Sequence, residues 1–159
     1  MGLMGLSIRY TMTTTPSDTE AVRKLVGEMR RLALALSFQR VGPVIEVVRP
    51  HPLVCVPVWP GKGCEPAAFG FCKLPPMERW QWSHTCCTQP ASRLEHGGLE
   101  NFLRCHLALI GLLDAIKRAG FAEVEVQDDG GYWKCRDPEA LGETARLWNG
   151  VDDLFPEGR

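Results

Sequence analysis

The spacing of apolar residues changes along the chain and divides it into elements. Residues 6–13 alternate between apolar and polar side chains, which predicts a half-buried β-strand. Over residues 18–36 the apolar side chains recur every three or four positions, which predicts an amphipathic helix that Ser17 and Glu20 open as a capping box. Residues 41–48 are largely β-branched and apolar, so we expect a second strand there.

The longest periodic segment is predicted to be a central helix over residues 98–119. Its apolar stripe is wide enough to require cover from a sheet or from other helices. His106 lies near the middle of that stripe, so we interpret it as a core histidine with one hydrogen-bonded ring nitrogen. Lys117 and Arg118 suit the last turn, and Gly120 suits the residue that ends the helix.

Residues 49–95 differ from the rest of the chain in composition. They contain eight of the twelve prolines and five of the seven cysteines. Their apolar and aromatic content argues against disorder, and the sequence predicts short strands over residues 53–59, 68–74 and 79–88.

The C-terminal third begins with an alternating segment, residues 122–127, that predicts another strand. The Asp-Asp-Gly-Gly turn after it predicts a β-hairpin whose second strand is Tyr132–Cys135. Asp137 is then expected to cap a last helix that ends near residues 149–150. We expect residues 151–159 to form a loose tail.

The order of these elements predicts an α+β fold, a ferredoxin-like sandwich with a βαββαβ core, as one domain over residues 1–159. Residues 49–95 would be an insertion that elaborates the sheet, and the C-terminal hairpin and helix would be additions. Because both core helices pack on one face of such a sheet, its other face needs cover from the insertion, from the last helix or from a second copy of the chain.

Charge and composition exclude several classes of partner. The formal net charge is −1 over 159 residues and the basic residues are scattered, which does not favour nucleic acid or an anionic membrane. No apolar run reaches the ~18 residues of a membrane span, and the first residues do not resemble a secretory signal. Because no secretory signal is recognised, we expect the seven cysteines to be reduced thiols in the cytoplasm. None of them falls in a Cys-x-x-Cys pair, so the zinc-finger and thioredoxin spacings are absent.

One strand concentrates residues that could carry chemistry. If residues 79–88 form a strand, the side chains of Trp80, Trp82, His84 and Cys86 share one face and could form the wall of a ligand pocket. The competing interpretation is sheet packing. His84 and Cys86 are the candidate catalytic pair, although two residues along a strand are too far apart for easy hydrogen bonding.

The start of the central helix supplies the other half of the candidate site. Backbone N–H groups near Gly97 and Gly98, together with the side chains of Asn101 and Arg104, would suit a small anionic or carbonyl-bearing ligand. We therefore expect a pocket where the Trp82–Cys86 segment meets this helix start.

Two other functions remain open, and no motif specifies a reaction, so the sequence leaves enzymatic activity undecided. The first alternative is a zinc-stabilised domain without catalysis, and no other cofactor is indicated. Its candidate ligands are Cys64, Cys72, His84, Cys86, Cys87 and His96. The second is a structural or interaction protein that forms a homodimer through the free face of its sheet.

Overall fold

The computed structural model describes residues 5–16, 18–76 and 79–154. Within these ranges it contains seven β-strands and four α-helices. In chain order they are β1 (Ser7–Thr14), α1 (Thr19–Leu34), β2 (Arg40–Val41), β3 (Ile45–Val47), β4 (Leu53–Trp59), β5 (Ala67–Cys72), β6 (Trp80–Cys87), α2 (Gly98–Arg118), β7 (Glu123–Asp128), α3 (Tyr132–Cys135) and α4 (Pro138–Asp153). None of these helices combines the length and the apolar character that crossing a bilayer requires.

The strands form one antiparallel sheet in the order β2-β4-β5-β6-β1-β7, and β3 pairs with β4 beside β2. β1 therefore lies between β6 and β7, and Tyr10 is opposite His84 on one side and opposite Val126 on the other. The antiparallel α+β architecture expected from the sequence is confirmed.

One face of the sheet holds the main core. Cross-strand pairing places Val56 and Phe69 in one row, and Tyr10 stacks on Phe69 with ring centroids 4.7 Å apart. Helices α1 and α2 cover this face with buried side chains such as Val26 and Leu113, which belong to the same apolar cluster. At about 25 cal/mol per Å² of buried apolar area, this layer supplies most of the hydrophobic stabilisation.

A second, smaller core joins α4 to α2. Phe102 of α2 packs with Leu141 and Ala145 of α4, and Leu6, immediately before β1, completes the contact. The last helix therefore lies on the helical layer and does not cover the opposite face of the sheet.

That opposite face is exposed in the described structure. Its polar half, on β1, β6 and β7, carries side-chain pairs such as Arg9 with Gln127 (2.9 Å) and Thr11 with Ser83 (3.1 Å). Its other half, on β3, β4 and β5, is apolar. We call the solvent-exposed side of the sheet the free face.

The predicted C-terminal hairpin is wrong. Tyr132–Cys135 form the short helix α3 instead of a second strand. The Asp128 carboxylate accepts hydrogen bonds from the backbone N–H groups of Gly130 (2.9 Å) and Trp133 (3.0 Å), so it caps a helical turn. The Asp and Gly residues typical of a tight turn are present, but the Asp128 carboxylate stabilises a helical turn after them.

Smaller differences concern the ends of elements. The expected strand over residues 41–48 is divided into β2 and β3 around Gly42 and Pro43. Asp18 caps α1 by accepting from the Ala21 N–H at 2.8 Å, whereas Ser17 of the expected capping box lies outside the described residues. Helix α4 continues to Asp153, into the segment expected to be a tail.

We expect Leu113→Ala to lower the free energy of unfolding by about 2–5 kcal/mol, because its side chain is fully buried between α2 and the sheet. Denaturant unfolding followed by circular dichroism measures this. Leu147→Ala, whose side chain is 69% exposed on α4, should change stability by less than about 0.5 kcal/mol. Equal losses in the two variants would contradict this view of the core.

Candidate functional site

The face of β6 that points towards the helices carries the four side chains singled out from the sequence. Trp80 and Cys86 are buried, while Trp82 and His84 are half-buried. The Trp82 indole N–H donates to the Ala68 carbonyl at 2.8 Å. These side chains share a face as expected, and most of their surface packs against the core.

His84 lies beside the Tyr10 ring, with ring centroids 5.8 Å apart. Burial lowers the pKa of His84, and this effect outweighs the opposing influence of a hydrogen bond to the Pro66 backbone and of the Glu65 charge. The imidazole is therefore uncharged at neutral pH.

Asn101 and Arg104 hold a loop, residues 60–64, against the start of α2. Asn101 Nδ2 donates to the carbonyls of Lys62 (2.9 Å) and Ala91 (3.0 Å). Arg104 Nη1 donates to the carbonyls of Pro60 (2.8 Å) and Ser37 (2.9 Å). The donors expected to bind a ligand are thus engaged with backbone carbonyls of this chain.

The two glycines before α2 have left-handed backbone angles, with φ of +117° at Gly97 and +73° at Gly98. Their N–H groups donate to Leu94 and Arg93, at 3.1 and 2.9 Å respectively. Glycine suits both positions because an L side chain is strained at such angles. These N–H groups shape the entry to the helix.

Four surface clefts among the described residues have volumes of about 330–440 Å³. One lies between α2 and α4 and is lined by Leu99, Gly142 and Arg146. None of the four is lined by His84, Cys86 or Asn101. Binding of an anionic or carbonyl-bearing ligand by the expected pocket stays a prediction.

A cluster of three thiols lies under the 60–64 loop. The Cys64 side chain packs against the apolar clusters that contain Cys86 and Cys105, and its thiol donates to the Cys87 carbonyl at 3.8 Å. Arg104 Nη2 is 3.8 Å from Cys105 Sγ. Cys86 Sγ donates to the Glu65 carbonyl at 3.2 Å. Cys86 of the expected site is therefore joined through Cys64 to the start of α2.

The thiols of Cys64 and Cys105 differ in acidity. Hydrogen bonding to Cys105 and Cys86, followed by burial, raises the pKa of Cys64 far above its usual value. The hydrogen bond with Cys64 lowers the pKa of Cys105; burial opposes this, and the Arg104 charge adds to it. Cys64 and Cys105 are far apart in the sequence, so no local motif indicates this pair.

The described residues hold no group of three or more His, Cys, Asp or Glu side chains arranged to bind a metal ion.

A buried hydrogen-bonded chain was missed by sequence reasoning. His106 Nε2 is 2.9 Å from Asp128 Oδ1, and its Nδ1 is 2.8 Å from Thr88 Oγ1. Thr88 Oγ1 also donates to the Leu6 carbonyl at 3.3 Å. The types and order of these three residues resemble a hydroxyl–imidazole–carboxylate triad. However, the side chains of His106 and Asp128 are only 0% and 1% exposed, so we assign this hydrogen-bonded network a structural role.

Asp128 is ionised in this setting. Burial by itself raises the pKa of Asp128. The hydrogen bond and charge of His106, together with the backbone N–H groups of Trp133 and Gly130, lower this pKa by more than burial raises it. The net pKa lies below the ordinary value of about 3.9. The sequence interpretation of Asp128 as a turn residue identified its backbone role and missed its partner on α2.

No protein family model matches the chain, and neither a curated protein nor a solved structure is matched by it.

All seven cysteines lie in the described ranges, and all are free thiols. We expect titration of the denatured protein without reductant to find seven thiols. A preparation protected from air that yields fewer thiols would contradict this expectation.

We expect Asp128→Asn to lower the free energy of unfolding at pH 7 by about 1.5–3 kcal/mol, because it removes the charged partner of the buried hydrogen bonds with His106, Gly130 and Trp133. The pH dependence should change too. Since the folded pKa of Asp128 is lowered, its contribution is present above about pH 4 and is lost as pH falls through the folded pKa.

Denaturant unfolding between neutral pH and pH 3 tests both points. The wild type should lose more stability below about pH 4 than the Asp128→Asn variant does. Asp129→Asn, which changes an exposed neighbouring carboxylate, is the control and should keep the acid-dependent loss of the wild type. The same acid-dependent loss in Asp128→Asn would contradict the assignment.

Proposed function

We propose that this chain is an interaction domain whose free face binds a second copy of the chain. The observation that supports the proposal is the apolar half of that face. Ile45 and Val47 on β3 are 43% and 41% exposed, so two large apolar side chains next to each other on this face contact solvent.

Cross-strand pairing extends this apolar surface inwards. Ile45 is opposite Cys55, Val47 is opposite Leu53, and Leu53 is opposite Cys72. Glu46, between the two exposed β3 residues, bonds Arg23 of α1 on the helical side, so its neighbours point to the free face.

The charge pattern favours a second copy as the occupant. The positions of β3, β4 and β5 on this face between Ile45 and Cys72 carry no charged side chain, and Arg40 of β2 lies at the edge, 4.4 Å from the centroid of the Trp59 ring. Two copies related by a two-fold axis would therefore bring no like charges together at the centre of this surface. Arg9, Glu123 and Glu125 lie on the polar half and would form a rim of both signs.

The size of the face also agrees with a dimer. Six strand positions about 4.8 Å apart and strands about 20 Å long give a projected area of roughly 500–600 Å². Accessible surface exceeds projected area, and a stable interface buries about 800 Å² per partner. The whole face, with its apolar half as the core of the contact, is therefore of the required size.

We also infer a ferredoxin-like core within the larger sheet. The elements β1, α1, β5, β6, α2 and β7 follow one another as βαββαβ, and their four strands lie in the order β5-β6-β1-β7. In this view β2, β3 and β4 are the part of the insertion that widens the sheet on the β5 side. The insertion then supplies the apolar half of the free face.

We expect the wild type to be a dimer at micromolar concentration in sedimentation or light-scattering measurements, and the double variant Ile45→Glu/Val47→Glu to be a monomer. Charged side chains at these positions would have to be desolvated in the contact, whereas in the exposed monomer they cost little.

The matched control is Leu34→Glu/Leu147→Glu. These side chains are 55% and 69% exposed on α1 and α4, away from the free face, and the variant should remain dimeric. A monomeric wild type, or equal dissociation of the two double variants, would overturn the proposal. Circular dichroism confirms that each variant is folded.

A further inference from the structure

We propose that the open edge of β7 binds an extended, basic peptide segment of a partner protein as an additional strand. β7 ends the strand order, and within the described residues β1 is the one strand that pairs with it. At the other end of the sheet, β2 and β3 are two and three residues long, whereas β7 has six residues. The β7 edge is separate from the apolar half of the free face, and binding there does not require self-association.

The ladder between β1 and β7 decides which backbone groups of β7 are open. The Asp129 N–H donates to the Ser7 carbonyl at 3.0 Å, so these two residues form a hydrogen-bonded pair. Such pairs alternate with non-bonded ones along an antiparallel ladder, so the odd-numbered residues of β7 turn their N–H and C=O groups towards β1. Val124 and Val126 turn theirs outwards, where they can pair with another strand.

The open edge ends at Asp128. The Asp128 carbonyl accepts from the Gly131 N–H at 2.9 Å, and its carboxylate accepts from the first turn of α3. A bound segment therefore pairs with residues 123–127 and then passes beside α3. Because the paired stretch is short, its backbone hydrogen bonds need support from side-chain contacts.

The charges of this edge argue against a second copy of β7 as the added strand. In an antiparallel two-fold pairing the outward-facing residues must lie opposite one another, which leaves registers centred on Val124, Glu125 or Val126. These registers place Glu123 opposite Glu125, Glu125 opposite itself, or Glu123 opposite Asp129, respectively. Like charges directly opposite each other on a sheet are destabilising.

The same acidic side chains favour a basic partner. Lysine or arginine residues opposite Glu123 and Glu125 would form cross-strand ion pairs on the solvent side of the sheet. The Glu123 side chain is 75% exposed, and its 3.8 Å contact with Arg79 is a loose surface pair that a closer cation can replace. Two acidic residues at alternate positions match a segment in which basic and apolar residues alternate.

The apolar residues of such a segment would face the helical side. Val124 and Val126 lie on that side and pack against the main core, as does Trp133 of α3. A cleft of about 330 Å³ adjoins the strand there, and its walls include Val126, Trp133 and Lys134. The cleft can receive the apolar side chain opposite Val126, which would contact the Trp133 ring.

Two short synthetic peptides test the proposal, one with lysine and valine in alternation and one with glutamate in place of lysine. We expect NMR titration to give a dissociation constant of about 1 mM or tighter for the basic peptide and about tenfold weaker binding for the acidic one. The basic peptide should slow amide hydrogen exchange at Val124 and Val126. It should leave exchange at Glu125 unchanged, because that N–H already bonds β1.

N-methylation of the basic peptide tests the backbone contribution. Methyl groups on the valine nitrogens should abolish binding, because they remove the donors that face Val124 and Val126. Methyl groups on the lysine nitrogens, which point away from β7, are the matched control and should preserve binding.

Charge reversal on the protein tests the recognition of basic residues. Glu123→Lys/Glu125→Lys should bind the basic peptide about tenfold more weakly than the wild type does and should gain affinity for the acidic one. Glu139→Lys/Glu143→Lys makes the same change in net charge at exposed positions of α4 and should bind both peptides as the wild type does.

Ile45→Glu/Val47→Glu, the variant designed to dissociate the dimer, should bind the basic peptide as the wild type does, so the two proposals can fail separately. Equal affinity for the two peptides, or binding that survives methylation of the valine nitrogens, would overturn the proposal of a basic partner strand. Slowed exchange at Val124 and Val126 in the protein alone as its concentration rises would mean that the edge pairs with itself, and would overturn it too.

Discussion

The buried contact between His106 and Asp128 is the interaction on which the arrangement of the chain depends. Through it and through Thr88, the middle of α2 is joined to the ends of β6 and β7 and to the start of β1. Asp128 also fixes the first turn of α3. A buried polar network of this kind is costly unless every member is paired, so it specifies one arrangement of these elements.

Helix α2 organises the molecule from several points along its length. At its start, Asn101 and Arg104 hold the 60–64 loop; further along, His106 bonds the strand ends, and Leu113 packs into the main core. The donors at its start therefore serve the fold, and they bring the three thiols together. The same residues would look like a ligand site if only their chemistry were considered.

The two faces of the sheet differ in what packs against them. The helical side is closed by α1 and α2, and α4 packs on α2 beside them. The free face is then left to solvent, and the strands inserted before β5 make half of it apolar. The surface at which we propose self-association is a consequence of where the helices lie and of what the insertion adds.

Much of the architecture follows from local sequence. Period-two alternation located β1 and β7, the bounds of β4 were those expected, and the stripe of α2 predicted its span to within a residue. These features depend on neighbours within a few positions, which a single sequence displays directly. The sequence also indicated that Trp80, Trp82, His84 and Cys86 share a face.

What the sequence could not determine are the contacts between distant segments. The partner of His106 lies 22 residues away, and the Asp128 carboxylate turned an expected strand into the helix α3. Cys64 and Cys105 meet only because a loop folds over the start of α2. Whether the donors of Asn101 and Arg104 face solvent or backbone carbonyls is likewise decided by packing. Such choices rest on which segments exclude water together, and only the tertiary structure settles that.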